Sequence, residues 1–213
     1  MSDGTAKRLD DGVPPGWDYN PATWGQRLPI IVLACGGGAI ALYLTLFQWN
    51  VVGSIWEPFF GGGPDFANGS EKILKSETSE IVTKLLPSGF WWVTDGFLGF
   101  LGYVGDAVTG AIGGTKRWRT MPWIVVIFGI FVGPLGAISI LLVMVQPLVY
   151  DTYSTLALST ALISVLMIGP AMDEMLASLQ YLARVRQHKR PFWRYFFGLG
   201  GQEPLDDLTK EAR

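Results

Sequence analysis

Four long apolar stretches, separated by polar segments, dominate the hydropathy pattern of this chain. A transmembrane helix takes about 20 consecutive apolar residues. The stretches cover residues 28–51, 90–113, 122–149 and 153–182. The third is the most apolar, whereas Asp95, Asp106 and several glycines weaken the second. The pattern predicts an all-α integral membrane protein, built as a bundle of four transmembrane helices.

The segment between the first two stretches predicts one further helix, over residues 70–86. Ser70 is a suitable N-cap, and Ile73, Leu74 and four later apolar residues share one helical stripe opposite a charged face. Pro87 ends the pattern. We expect this amphipathic helix to be extracytoplasmic and to lie on the outer surface or across the mouth of the bundle.

The distribution of Lys and Arg predicts the orientation of the bundle. These residues are concentrated before the first stretch, between the second and third, and after the fourth. Segments rich in Lys and Arg stay on the cytoplasmic side. We therefore expect residues 1–27 to form a cytoplasmic N-terminal arm, residues 28–182 the bundle, and residues 183–213 a basic, aromatic cytoplasmic tail. Both termini would face the cytoplasm in a multi-pass protein.

Composition and charge support a membrane protein and exclude one class of partner. Charged residues make up 16% of the 213 residues, against about a quarter in soluble domains. The formal net charge is −2. A nucleic-acid partner would require a concentrated basic face, so we expect none.

Cysteine and histidine are each represented once, by Cys35 and His188. Thiol–disulfide exchange requires two thiols that can meet. Cys35 adjoins Gly36, Gly37 and Gly38, and we expect it to be a small buried packing residue. His188 lies beyond the last apolar stretch, so we expect neither a metal site nor His-ligated haem or chlorophyll in the bundle.

Four acidic residues in or near the apolar stretches are candidates for functional or structural roles. Asp95, near the start of the second stretch, either lines a ligand pocket or lies at the interface as a helix cap. Asp106, Asp173 and Glu174 lie toward the predicted cytoplasmic ends, where we favour ion pairs over a functional role. The available cations are Lys116, Arg117 and Arg184.

The basic, aromatic segment RVRQHKRPFWRYFFGLGG near the C-terminus has two interpretations. Its cations suit an anionic lipid surface, at about 1 kcal/mol per basic residue. Alternatively, its aromatic side chains anchor in a neighbouring subunit, because aromatic residues and Arg are enriched in the cores of protein interfaces.

Several segments of the chain resemble a bacterial branch of the vitamin K epoxide reductase family. They are GWDYNPATWGQRLPI, WEPFF, LGYVGDAVTGAIGGTKRWRTMPWIVVIFGIFVGPLGAISILLVMVQP and IGPAMDEMLASLQYL, within roughly residues 16–186. The resemblance implies a four-helix transmembrane bundle in a bacterial cytoplasmic (inner) membrane, with a quinone pocket near its outer side. It also implies a Cys-x-x-Cys at the start of the last helix, which reduces quinone and oxidises a thiol partner.

The chain departs from this family at both cysteine positions. Where the family branch has a sequence like WCTLCL, this chain has YSTLAL, with Ser154 and Ala157 at the cysteine positions. A serine hydroxyl is far less acidic than a thiol and forms no disulfide, and alanine has no functional group. We therefore predict a member without catalytic residues, in which thiol–disulfide oxidoreductase activity is lost.

Two functions are compatible with this combination. The first is a non-catalytic accessory subunit of a larger membrane complex, with a respiratory or photosynthetic complex favoured; it requires no cofactor. The alternative is a protein that binds quinone or lipid in a residual family pocket formed by Trp91, Asp95, Ser154 and Ala157. The expected partners are membrane lipids and subunits of the larger complex.

Overall fold

The computed structural model describes residues 12–76, 90 and 92–200, and within these ranges all regular secondary structure is helical. The helices are α1 (Trp24–Gln48), α2 (Gly69–Leu74), α3 (Asp95–Ala111), α4 (Arg117–Thr120), α5 (Pro122–Ile130), α6 (Gly136–Tyr150), α7 (Thr155–Gln187) and α8 (Phe192–Phe196). A π-helix, Phe131–Leu135, joins α5 to α6. The all-α prediction is confirmed for the described part of the chain.

Three helical segments in the described ranges are long and apolar enough to cross a membrane. They are α1, the continuous segment Pro122–Tyr150, and α7. Helix α3 has 17 residues, or about 26 Å at 1.5 Å per residue, against a hydrocarbon core of about 30 Å. It is shorter than the predicted stretch 90–113 because Thr94 accepts the first helical hydrogen bond, from Leu98, and Gly113 has a φ of 86°.

Left-handed residues set the ends of the two longest single helices. Helix α1 ends before the predicted residue 51, because Asn50 has a φ of 58° and the Val51 N–H turns back to the Leu46 carbonyl at 2.9 Å. This is the hydrogen bond of a Schellman-type C-cap. Helix α7 continues past the predicted residue 182, and Lys189 follows its end with a φ of 53°. Hydropathy locates a span, whereas local backbone chemistry determines where its helix stops.

The third predicted span is continuous but contains a wide turn. Pro134 lies inside the π-helix. Proline has no N–H to donate and its ring crowds the carbonyl of the preceding turn, and a π-turn inserted in an α-helix is one way to relieve that crowding.

The predicted amphipathic helix over residues 70–86 is described only at its beginning. Helix α2 covers Gly69–Leu74, and residues 77–89 lie outside the described ranges. Its N-cap is Asn68, whose side chain accepts from the Glu71 N–H at 2.9 Å. The prediction of Ser70 as N-cap is wrong, because that residue lies within the helix and its hydroxyl has partners elsewhere.

The chain divides into two compact units. The first consists of Met1–Ile31, Val108–Ile130 and Gly169–Arg213, and the second of Val32–Ala107 and Phe131–Ile168. In the first unit, Trp118 is buried among residues of α7 and α8, including Tyr181, Val185 and Tyr195. The Trp118 indole N–H donates to the Gly12 carbonyl at 2.8 Å, which attaches the N-terminal segment to this core.

The first unit also contains a buried ion pair beside the C-terminal end of α3. Arg117 donates to Glu174 at 2.5 and 2.6 Å, and the two side chains are 0% and 1% exposed. Arg117 and the buried Arg27 further donate to the carbonyls of residues 109–113. Two cations thus satisfy carbonyls at the negative end of the helix dipole.

The remaining predictions for intramembrane polar residues have mixed outcomes. The predicted pairing is confirmed for Glu174 but wrong for two other acids. Asp173 accepts from the Tyr19 hydroxyl at 2.6 Å instead of from a cation. Asp106 has no ion pair among the described residues, and one of its oxygens has no hydrogen-bond partner there.

Cys35 is exposed at the protein surface, so the prediction of a buried residue is wrong. The packing glycine is its neighbour Gly37, where a Cβ would lie 2.5 Å from the Tyr103 ring.

Candidate ligand-binding site

The second unit contains a cavity of about 470 Å³. Its wall consists mainly of apolar side chains from α1, α3, the π-helix, α6 and α7. A cavity of this volume and character matches the sites that bind small organic molecules. Its polar lining includes Asp95, Asp106, Tyr103, Gln146 and Ser154.

Three of the four residues proposed from sequence as a residual pocket line this cavity together. They are Asp95 on α3, Ser154 immediately before α7, and Ala157 in the first turn of α7. The fourth, Trp91, lies outside the described residues. That a quinone or lipid binds here stays a prediction.

Sequence reasoning missed Tyr103 and Gln146 in the cavity wall. Both are polar positions inside apolar stretches, and that signal was available in the sequence. The Tyr103 hydroxyl lies 2.8 Å from the Thr160 carbonyl and 3.0 Å from the Ser164 hydroxyl. These contacts connect α3 to α7.

Ser154 caps the N-terminus of α7. Its hydroxyl accepts from the Ala157 N–H at 3.2 Å, and its carbonyl accepts from the Leu158 N–H at 2.9 Å. Serine is among the preferred N-cap residues because its short side chain can satisfy a free N–H of the first turn. Ser154 therefore has a clear structural role at this position.

A short chain of hydrogen bonds leads from Ser154 to Glu57. The Ser154 and Ser70 hydroxyls lie 2.7 Å apart, and the Ser70 hydroxyl donates to Glu57 Oε2 at 2.6 Å. Because each hydroxyl has one proton, and that of Ser70 goes to Glu57, the Ser154 hydroxyl donates to Ser70. The Ser154 proton is thus already used within the protein.

Glu57 is the anion at the N-terminus of α7. Its carboxylate also accepts from the Thr155 N–H at 2.7 Å, from the Thr155 hydroxyl, and from the Phe59 N–H at 3.2 Å. Burial raises the pKa of Glu57, but the hydrogen bonds from Ser70, Thr155 and Phe59 outweigh burial and lower it below its usual value. The positive end of the α7 dipole acts in the same direction.

A glycine permits the close approach of α2 to the segment before α7. A Cβ at Gly69 would lie 2.6 Å from the Thr152 hydroxyl oxygen and would also collide with the Tyr153 carbonyl. Any larger residue would therefore displace α2, which contains Ser70. Neither Glu57 nor Ser70 was predicted as a site residue, because the sequence around them contains no signal that they contact the N-terminus of a helix far along the chain.

The site contains no thiol. Cys35, the only cysteine of the chain, is exposed on α1 and is not among the residues that line the cavity. Residues 12–76, 90 and 92–200, which the structure describes, contain no cluster of three or more His, Cys, Asp or Glu suited to a metal ion. The chemistry available at the cavity is hydrogen bonding by hydroxyl, amide and carboxyl groups around an apolar volume.

Comparison with protein families identifies the group to which the chain belongs. The model of the vitamin K epoxide reductase family matches residues 28–171, more than half of the chain. The chain is therefore a member of the vitamin K epoxide reductase family, as its resemblance predicted. Searches of curated proteins and of solved structures found no match.

Proposed function

We propose that this membrane protein binds a quinone or a similar amphiphile in the cavity of its second unit and exchanges no thiols. The observation that supports the proposal best is the cavity itself, which has an apolar wall beside the head of α7. Ser154 and Ala157 line it at the positions where the family resemblance implies the two cysteines. The cavity provides a volume that would accept a ligand, and a helix cap and a methyl group stand where the resemblance implies the two thiols.

The hydrogen bonds of Ser154 support a structural role for that residue. Its proton is directed to Ser70, and its oxygen accepts the N–H of Ala157. A low-pKa thiolate at a helix N-terminus is stabilised by the dipole, whereas here Glu57 supplies the negative charge at the same helix end. The residue at the first cysteine position thus stabilises α7 and has no nucleophilic role.

Binding can be tested on the protein purified from its native membrane in mild detergent. We expect quinone or a related isoprenoid lipid in the organic extract. The variant Ala157→Phe places a large ring inside the cavity, where it occupies volume that the ligand needs, and it should lower bound ligand at least about tenfold. The matched control is Leu162→Phe, on the same helix at a side chain that is 60% exposed. Equal retention by both variants would contradict the proposal.

Loss of thiol chemistry has its own test. Purified protein, given a dithiol and a water-soluble quinone, should show no turnover above the uncatalysed rate. Turnover that disappears in Cys35→Ala would overturn the proposal, because it would assign catalysis to the only thiol of the chain.

For the arrangement in the membrane, we propose a four-helix bundle with both termini in the cytoplasm of a bacterium. In it, α3 is the second of the four spans and α2 is extracytoplasmic. The distribution of Lys and Arg supports this orientation. In a Cys35→Ala background, single cysteines at Gly61 and Lys189 report the two sides. A membrane-impermeant maleimide added to spheroplasts should label only the cysteine at position 61.

A second candidate function is that of an accessory subunit of a larger respiratory or photosynthetic complex. The supporting observation is a group of exposed apolar side chains in the C-terminal segment, among them Trp193, Phe197 and Leu199 at 67%, 52% and 69% exposure. Trp193→Ala together with Phe197→Ala should release the protein from a complex in blue-native electrophoresis while leaving cavity binding intact. Migration as a free chain before mutation would exclude this role.

A further inference from the structure

Asp106 is the one described side chain with a buried nitrogen or oxygen atom that has no hydrogen-bond partner. Asp106 is 5% exposed, lines the cavity, and its Oδ1 makes no hydrogen bond among the described residues. Buried polar groups in native proteins are nearly always paired, and leaving one unpaired is costly. An unpaired carboxyl oxygen in the wall of a ligand-sized cavity points to a partner on the ligand.

The neighbouring polar groups of the wall are already paired with one another. The Tyr103 hydroxyl contacts the Thr160 carbonyl and the Ser164 hydroxyl, and the Thr160 hydroxyl donates to the Ala157 carbonyl at 2.9 Å. These groups hold α3 against α7 and the first turns of α7 in place. Asp106 differs from them because its oxygen has no such partner.

We propose that the cavity prefers amphiphiles with a hydroxyl on the head group, a quinol over the corresponding quinone, and that Asp106 accepts the hydrogen bond of that hydroxyl. This inference rests on the proposed function and specifies its ligand class. An ionised carboxylate can only accept hydrogen bonds, whereas a carboxylic acid both accepts and donates. A quinol hydroxyl can pair with either form. A quinone carbonyl can pair only with the acid and is repelled by the carboxylate.

The test compares the two oxidation states of one short-chain ligand. Full-length protein in mild detergent is equilibrated anaerobically with decylubiquinol or decylubiquinone, and the bound fraction is measured by equilibrium dialysis. We expect the quinol to bind roughly tenfold more tightly, the ratio that one additional satisfied hydrogen bond supplies. In Asp106→Asn the ratio should fall toward one, because an amide offers both a donor and an acceptor.

Two further variants keep the test decisive. Asp106→Leu removes both hydrogen-bonding functions and should also bring the ratio toward one, which covers the case in which the asparagine variant does not fold. Asp173→Asn changes an acid that is not among the residues lining the cavity; it is the matched control and should keep the quinol preference.

The outcomes separate this inference from the proposed function. Binding of neither ligand overturns both. Equal binding of quinol and quinone by the wild type, or a preference that survives in both Asp106 variants, overturns the inference and leaves ligand binding in place. A preference that is lost in Asp173→Asn as well as in Asp106→Asn shows that the assignment to Asp106 is wrong.

Discussion

Substitution of Glu57 by glutamine tests how much the hydrogen bonds of its carboxylate at the N-terminus of α7 stabilise the protein, with a minimal change of side-chain shape. Oε2 of Glu57 accepts from the Ser70 hydroxyl and the Thr155 N–H, and Oε1 accepts from the Thr155 hydroxyl and the Phe59 N–H. In glutamine, one of the two oxygens becomes an amide nitrogen. Either orientation therefore turns a donor toward one backbone N–H, which loses its acceptor, while a hydroxyl can rotate to accept.

The magnitude follows from these contacts. A hydrogen bond to a charged group contributes about 1.5–3 kcal/mol, against about 0.5–1.5 kcal/mol for a neutral one. The substitution removes one hydrogen bond to a charged group and weakens the others, and it removes the charge at the helix N-terminus, which is worth about 0.3–1 kcal/mol. Together these losses predict a destabilisation of about 2–4 kcal/mol. For a chain of this size, the midpoint of thermal unfolding should fall by about 5–15 °C.

The assay is thermal unfolding of the detergent-solubilised protein, followed by tryptophan fluorescence. Glu71→Gln is the matched control, because Glu71 makes an i,i+4 pair at 2.6 Å with Lys75, whose side chain is 50% exposed. Exposed pairs contribute about 0–1 kcal/mol. If both substitutions lowered the midpoint equally, the hydrogen bonds of Glu57 at the N-terminus of α7 would contribute no more than an exposed ion pair, and our account of Glu57 would be refuted.

Three further predictions concern stability and use the same unfolding assay. The pKa of Glu57 is lower in the folded than in the unfolded state. Its contribution to folding stability is therefore present above the unfolded pKa of about 4.3 and is lost as the pH falls through the folded pKa. Glu57→Gln should remove that part of the acid sensitivity, and an unchanged pH profile would contradict the shift. Glu174→Ala leaves the Arg117 charge buried without its counter-ion and should lower the free energy of unfolding by about 3–5 kcal/mol. Arg117→Met combined with Glu174→Leu should lower it less than this single change. A double variant at least as unstable as the single one would contradict this. Gly69→Ala should destabilise the protein by about 1–3 kcal/mol through overpacking. Gly61→Ala is the control and should be close to neutral, because an added Cβ there has nothing within 4 Å. Equal effects would refute the close approach of α2.

Much of the helical arrangement could be predicted from the sequence, and the errors have specific physical causes. Apolar runs located all three long spans, because burial in lipid requires an unbroken apolar helix. The helix ends were displaced where Asn50 and Lys189 adopt left-handed backbone conformations, which hydropathy does not report. The short helices α4 and α8 were not predicted, because neither is long enough to establish a period.

The candidate site divides in the same way. Asp95, Ser154 and Ala157 could be named from the sequence, through an acid in an apolar run and through the family resemblance. Glu57 and Ser70 could not, since their importance depends on reaching the head of α7. Asp106 was predicted to form an ion pair, but it has none within the part of the chain that the structure describes.

By itself, the sequence determined that this protein is built of membrane-spanning helices and that it has a single thiol, and its resemblance implies that serine and alanine stand where the family has two cysteines. These properties are local, because hydropathy and residue identity act within one segment. Only the tertiary structure decided that Glu57, Ser70 and Ser154 meet, and that a cavity of about 470 Å³ opens beside Ala157. It also decided that a buried oxygen of Asp106 has no hydrogen-bond partner among the described residues. Those outcomes depend on how distant segments pack, and packing determines which polar groups satisfy one another.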